Sequence, residues 1–180
     1  MSFRKITTPI DGVYIIEPQI ATDNRGEFVK TFRSDFFTNM GIEFVPREEF
    51  FTISQDNVIR GMHFQVPPFA HQKLIYCPYG GIQDVLLDIR RDSPTYGKHL
   101  VVELSDINRQ MVFVPVGIAH GFLCNMDNTC VVYKTDLEYN QEHDAGIRWD
   151  SFGYVWPGNY FIVSKRDTAH PTFQDFRTPF

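Results

Sequence analysis

The chain has 180 residues, a mass of 21.0 kDa and a net charge of −5, with 22% of its side chains charged. That is enough for one domain with a sizeable core and too little for two large ones. So mild an acidity argues against a nucleic-acid binder held by a basic surface, and no apolar run is long enough to span a membrane.

In chain order, the start Met1-Ser2-Phe3-Arg4-Lys5 has no apolar segment behind it, which with three cysteines (Cys77, Cys124, Cys130) that lack CxxC spacing predicts an unexported, cytoplasmic protein without disulfides. Ser34 is positioned to cap a short helix over Asp35 to Met40, with Gly41 ending it. Strand-like runs follow at Phe50 to Ser54, Val58 to Gln65, Lys73 to Cys77, Ile82 to Ile89, His99 to Leu104, Met111 to Val116 and Cys130 to Thr135. Turn residues separate them, as in Pro78-Tyr79-Gly80-Gly81 and Ser93-Pro94-Thr95-Tyr96-Gly97. Many short strands with regular turns predict an all-β sandwich or barrel. The 17 Phe and 8 Tyr suit such a core or a large ligand cavity. With no linker or repeat, 1–180 is expected to form one domain, its last part, from about 140 to 180, wrapping irregularly over the core with a short helix.

The densest cluster of chemistry is Arg60-Gly61-Met62-His63-Phe64-Gln65, followed by Pro67-Pro68 and His71-Gln72-Lys73-Leu74. An arginine fork suits phosphate, a histidine carries a proton near neutral pH, and a lysine holds a developing oxyanion. Together they predict acid/base chemistry on an anionic substrate. Strict alternation would send Arg60 and His63 to opposite faces, so Gly61 is expected to form a β-bulge that brings both into one cavity. Alternation in Cys130 to Thr135 puts Tyr133 on the face of Val131 and Thr135, opposite Lys134.

These segments, with Asp23-Asn24-Arg25-Gly26-Glu27-Phe28, Pro115-Val116-Gly117-Ile118-Ala119-His120-Gly121-Phe122, Trp149-Asp150, Trp156-Pro157 and Ser164-Lys165-Arg166-Asp167, follow one another in a specific order. In that series the chain resembles the dTDP-4-dehydrorhamnose 3,5-epimerases over nearly its full length. The resemblance implies a double-stranded β-helix, that is, a cupin-like jelly-roll barrel with short peripheral helices. It also implies a homodimer exchanging an N-terminal segment of about 1–50, no cofactor and no metal, and a nucleotide-diphospho 4-keto-6-deoxy sugar as substrate.

The 4-keto group acidifies C3 and C5, so inversion needs a base, an acid on the opposite face and a stabilised enolate. The resemblance implies His63 as base, Asp167 as its partner, Tyr133 as acid and Lys73 as enolate stabiliser. Taken alone, Asp167 reads as an exposed loop carboxylate and Tyr133 as a buried aromatic. Arg60 is the expected diphosphate clamp, with Arg25 and Phe28 contributed by a partner subunit, although Asp23-Asn24-Arg25-Gly26 by itself is a plain β-turn. Gln65, Glu48, Tyr139 and Trp156 are further expected substrate contacts, and His120 either bonds near the sugar or supports the wall.

The chain departs from the family at Glu48 and Phe50, where glutamine and asparagine are usual, and at Asn57, where glycine is usual. A carboxylate at Glu48 suits the donor-rich edge of cytosine or guanine better than thymine, so CDP and GDP stand beside dTDP. Other readings are a single-centre epimerase, a 3,4-ketoisomerase and a sugar-binding barrel without catalysis. A metal cupin is disfavoured because Gln65 stands where an HxH pair would place its second histidine.

Overall fold

The computed structural model describes residues 3–180. Its strands are β1 (Arg4–Thr7), β2 (Tyr14–Glu17), β3 (Gln19–Asp23), β4 (Gly26–Lys30), β5 (Glu48–Ser54), β6 (Val58–Gln65), β7 (Lys73–Tyr79), β8 (Gly81–Asp88), β9 (His99–Ser105), β10 (Met111–Val114), β11 (Ile118–Cys124), β12 (Thr129–Thr135), β13 (Asp144–Gly146) and β14 (Ile162–Val163). The helices are α1 (Ser34–Asn39) and α2 (Lys165–Ala169), and no helix among the described residues is long and apolar enough to cross a membrane.

Two antiparallel sheets face one another as a jelly-roll sandwich. One runs β1-β2-β10-β7-β12-β5; the other runs β13-β6-β11-β8-β9, with β14 added parallel to β6. Their inner faces share a core in which Ile75 and Val131 of the first sheet meet Leu86 and Phe122 of the second. The outer faces are also covered, so central strands such as β11 are buried at every position and read as continuous apolar runs. Helix α1 brings Phe37 to Leu74 and Phe113 on the first sheet, while the C-terminal segment packs Ile147, Phe152 and Trp156 over Ile59, Met62 and Phe64 on the second. The hairpin β3–β4 forms a separate two-stranded sheet.

The expected bulge is present. Opposite β11, His63 pairs with His120 and Arg60 with Phe122, so two residues of β6, Gly61 and Met62, face the single residue Gly121. Met62 therefore joins the outer core cluster, and both Arg60 and His63 line the interior cavity. Both glycines are required: Gly61 has φ +144°, a Cβ on it would lie 2.5 Å from Gly121 Cα, and a Cβ on Gly121 would lie 2.9 Å from Arg60 O.

Elsewhere the structure refines the expectations. Ser34 is the first residue of α1, not its cap; the extended Arg33 occupies that position without a side-chain hydrogen bond. Gly41, with φ +72°, does end the helix, donating its N–H to Thr38 O while Ile42 N–H reaches Phe37 O. Strand β10 stops at Val114, before Pro115, which cannot donate to a ladder. Asn57 adopts φ +61°, a conformation that asparagine tolerates almost as glycine does, so the missing glycine there leaves the turn intact.

Gly61→Ala is expected to cost about 2–5 kcal/mol of stability, the sum of left-handed strain and a backbone clash. Urea unfolding would measure it, and a loss under about 1 kcal/mol would show that β6 and β11 relax around the methyl group.

Candidate active site

Polar side chains gather at one end of the sandwich interior, around a cavity of about 280 Å³. Strand β6 contributes Arg60, His63 and Gln65; β7 contributes Lys73, β11 His120 and β12 Tyr133. Strand β5 adds Glu48, Phe50 and Thr52, and Tyr139, Asp144 and Arg166 complete the wall. The strong alternation of β12 delivers Tyr133 inward as its sequence predicts, on the buried face with Val131 and Thr135.

His63 is held by Asp167, whose Oδ1 lies 2.7 Å from Nε2. Asp167 is fixed in turn: Ser164 caps α2 by accepting the Asp167 N–H at 3.0 Å, and Gly61 N–H donates to Asp167 Oδ2 at 3.2 Å. Burial alone would raise the Asp167 carboxyl, but the hydrogen bond and charge of His63, with the Gly61 N–H, hold it below its ordinary value. An ionised carboxylate only accepts, so His63 Nε2 carries a proton, and in the neutral ring the lone pair is then on Nδ1.

Lys73 is 8% exposed. Its Nζ donates to His63 O at 3.1 Å, and burial pulls its pKa down to about 8 although Asp144 and Asp84 draw it upward. Next to it, His120 Nε2 lies 2.6 Å from Asp84 Oδ1, both residues fully enclosed. Burial lowers His120 against the opposing pull of Asp84, and Asp84 Oδ2 has no hydrogen-bond partner. Tyr133 stacks on Phe50 at 4.7 Å, and burial, reinforced by the Asp84 charge, pushes its hydroxyl well above the ordinary value. Tyr133 therefore stays protonated, facing from one sheet a cavity that His63 faces from the other.

Other expected site residues are placed differently. Arg60 lines the cavity with its Nε donating to Ser54 Oγ at 3.0 Å. Gln65 also lines it, but its amide is committed to protein: Nε2 donates to Phe69 O at 2.8 Å and Oε1 accepts Asn140 N–H at 2.6 Å, tying two loops together. Glu48 accepts the Tyr139 N–H at 2.8 Å, and the Tyr139 hydroxyl donates to Asp144 Oδ2 at 3.1 Å. Arg25 and Phe28 do not reach this cavity; they sit on the β3–β4 hairpin, where Arg25 pairs with Asp23. Trp156 is not at the cavity either, because its indole is buried within the C-terminal layer and donates to Trp149 O at 2.9 Å.

Three residues of the site were not anticipated. Asp144 and Arg166 form an ion pair of 2.6 Å at the cavity wall; Arg166 adjoins Asp167, so its motif offered the signal, whereas Asp144 offered none. His170 stacks edge-on against His63, and with His63 and Asp167 it makes the group of potential metal ligands present among the described residues. Its Asp-x-x-His spacing on a helical turn was the available clue.

The sequence pattern of dTDP-4-dehydrorhamnose 3,5-epimerase matches residues 7–175. The enzyme of that name from Methanothermobacter thermautotrophicus is 42% identical over 172 residues, covering 92% of this chain and 91% of that one. The Legionella pneumophila dTDP-6-deoxy-D-glucose-3,5-epimerase, solved in complex with dTDP-4-keto-L-rhamnose, superposes with a TM-score of 0.93 at 32% identity, covering 97% of this chain and 95% of that one. A 3′-monoepimerase from Streptomyces bikiniensis, solved with dTDP-quinovose, superposes at 0.85 and 28% identity, with 92% and 85% covered.

The burial of Lys73 carries a pH signature. Between about pH 8 and 10.5 the unfolded chain keeps a proton that the folded chain has lost, so stability rises with pH across that window. Relative to Lys73→Met, the wild type is expected to gain about 3 kcal/mol from pH 7.5 to 10.5. Urea unfolding of both proteins at several pH values checks this, and parallel curves would show that Lys73 is solvated.

Proposed function

The chain belongs to the dTDP-4-dehydrorhamnose 3,5-epimerase family, which is a family of isomerases, and from that premise we propose that it inverts C3 and C5 of a dTDP-linked 4-keto-6-deoxy sugar in the cavity just described. The observation that carries the proposal is the placement of His63 and Tyr133 on facing sheets of one cavity, with Lys73 reaching across to β6. His63 Nδ1 takes the proton next to the keto group, and Asp167 steadies the resulting imidazolium. The negative charge moves to the keto oxygen, where the enclosed Lys73 ammonium stabilises it. Tyr133 then returns a proton to the carbon from the other face. Both groups re-equilibrate with solvent, and the second centre repeats the cycle.

Arg60 and Arg166 are the cations on the cavity wall suited to a diphosphate. Asp144, paired with Arg166, holds that guanidinium in place. Tyr139, 55% exposed at the rim and tethered through its N–H to Glu48, offers an aromatic face to the base. The β3–β4 hairpin projects Phe28 at 63% exposure and pairs with no other strand among the described residues. That supports a homodimer in which Arg25 and Phe28 enter the partner's cavity. Sedimentation should give twice the chain mass, and a monomer retaining full activity would rule out the exchange.

Incubation in D2O with dTDP-4-keto-6-deoxyglucose, followed by NMR, tests the chemistry. Deuterium is expected at C3 and C5 with both centres inverted. His63→Gln should lose about 10²–10⁴-fold in rate. Tyr133→Phe should still exchange deuterium while inverting at least about 10²-fold more slowly, because it loses only the acid. Label at a single centre would make the chain a monoepimerase. Faster turnover of the CDP- or GDP-linked sugar would mean that Glu48 reads a donor-rich base.

A further inference from the structure

Asp167 in the first turn of α2 and His170 at its C-cap lie three residues apart, and both turn toward His63 on β6. The three potential ligand atoms, His63 Nε2, Asp167 Oδ1 and one ring nitrogen of His170, lie within 4.8 Å of one another. His63 Nε2 is 2.7 Å and His170 Nε2 3.9 Å from the same Asp167 oxygen. His170 Nε2 is buried and has no hydrogen-bond partner, an uncommon condition for an enclosed imidazole nitrogen. Gly146, which pairs with His63 across β13 and β6, lets the His170 ring pack against its backbone: a Cβ there would lie 2.5 Å from Nε2, 2.6 Å from Cδ2 and 2.8 Å from Cε1.

From this geometry we propose that His63, Asp167 and His170 form a binding site for one divalent transition-metal ion of the zinc type, and that filling it switches the enzyme off. Two imidazoles and a carboxylate suit zinc, cobalt or nickel and not magnesium or calcium, which prefer oxygen ligands throughout. Tetrahedral bonds of about 2.0–2.2 Å place ligand atoms about 3.3–3.5 Å apart. The His63 to Asp167 separation of 2.7 Å therefore opens by about 0.6–0.8 Å, the His170 to Asp167 separation of 3.9 Å closes by about 0.4–0.6 Å, and the two imidazole nitrogens, within 4.8 Å, draw together, all by side-chain rotation. The charge balance favours a cation, since Asp167 is 3% exposed and the neighbouring guanidinium of Arg166 is already paired with Asp144. His63 is the most exposed of the three, and entry is through a second pocket that it lines together with Asp167 and Ser164.

The inhibitory consequence follows from the imidazole. In the neutral ring of the free protein Nε2–H donates to Asp167 and Nδ1 holds the lone pair. A metal takes the Nε2 lone pair, the displaced proton moves to Nδ1, and the nitrogen facing the substrate can no longer accept one. Metal binding itself does not depend on the role assigned to His63; the inhibition rests on His63 being the base.

The test uses the full chain, stripped with a chelator and titrated with Co²⁺ by visible absorption and with Zn²⁺ by calorimetry. One ion per chain is expected, with the intense visible bands of a low-coordinate cobalt site. His170→Gln removes a ligand and Gly146→Ala displaces its ring; each should weaken binding by at least about tenfold to a hundredfold, the loss that even an outer partner of a ligand causes. Retained dTDP affinity in both variants would show that they are folded. Zn²⁺ should abolish wild-type epimerisation reversibly with chelator, while leaving His170→Gln close to its own metal-free rate. No binding by the wild type, or binding unchanged in both variants, overturns the site. A filled site with undiminished or increased turnover overturns the inhibition and speaks against His63 as the base, while the metal site stands.

Discussion

The site depends on the close approach of two glycines. Where β6 crosses β11, Gly61 and Gly121 leave no side chain between the strands, and the extra residue of the bulge is absorbed there. The consequence is a change of phase along one strand. Before the bulge Val58 and Arg60 face inward; after it Met62 faces out into the C-terminal layer, and His63 and Gln65 face inward again. Without that change the histidine would point into an apolar layer and the methionine into the cavity. The same Gly61 supplies an N–H to Asp167, so the bulge that aims the imidazole also orients its carboxylate.

Burying so many ionisable groups between two sheets is costly unless each finds a partner. Here the groups pair across elements: His63 with Asp167 from α2, His120 with Asp84 from the adjacent strand, and Arg166 with Asp144. Lys73 is the exception, because it has only a backbone carbonyl within hydrogen-bond reach and its two attracting carboxylates act at longer range. An ammonium left under-satisfied in this way is poised to gain when negative charge appears on a substrate oxygen. That is the condition under which electrostatic stabilisation favours a transition state over a ground state. Asp84 Oδ2, buried and without a partner, keeps a second unbalanced charge nearby. An apolar cluster that includes Val13, Ile82 and Leu104 packs between the same two sheets.

Much of this was legible in the sequence, for identifiable reasons. Strand β6 was read with its observed bounds because turn residues flank it, and Tyr133 was placed correctly because β12 alternates cleanly. The bulge was legible because two charged residues around a glycine could not otherwise share a cavity. Strand β11 was missed since it is buried on both faces and shows no alternation, and β13 and β14 are too short to give a pattern. Gln65 and Trp156 show the limit of motif reading: their neighbours in sequence are functional, but the amide is spent on loop carbonyls and N–H groups and the indole on Trp149. Asp144 has no local signal, and His170 has only its spacing from Asp167, because their roles arise only when the C-terminal segment folds back over β6.

That segment joins stability to chemistry. Its aromatic side chains cover the outer face of the second sheet, which any sandwich of this kind must bury. The turn of helix it carries presses Asp167 and His170 against β6 from the same side, with Arg166 at the cavity wall. The residues that hold the imidazole in place therefore lie on a layer held mainly by apolar packing, and weakening that packing loosens Asp167 before it disturbs either sheet. A substitution such as Phe176→Ala, which removes the ring packed on Phe64 and lines no part of the cavity, would act on His63 through this layer. The geometry of the site is in that sense a property of the outer core as much as of the strands that line the cavity.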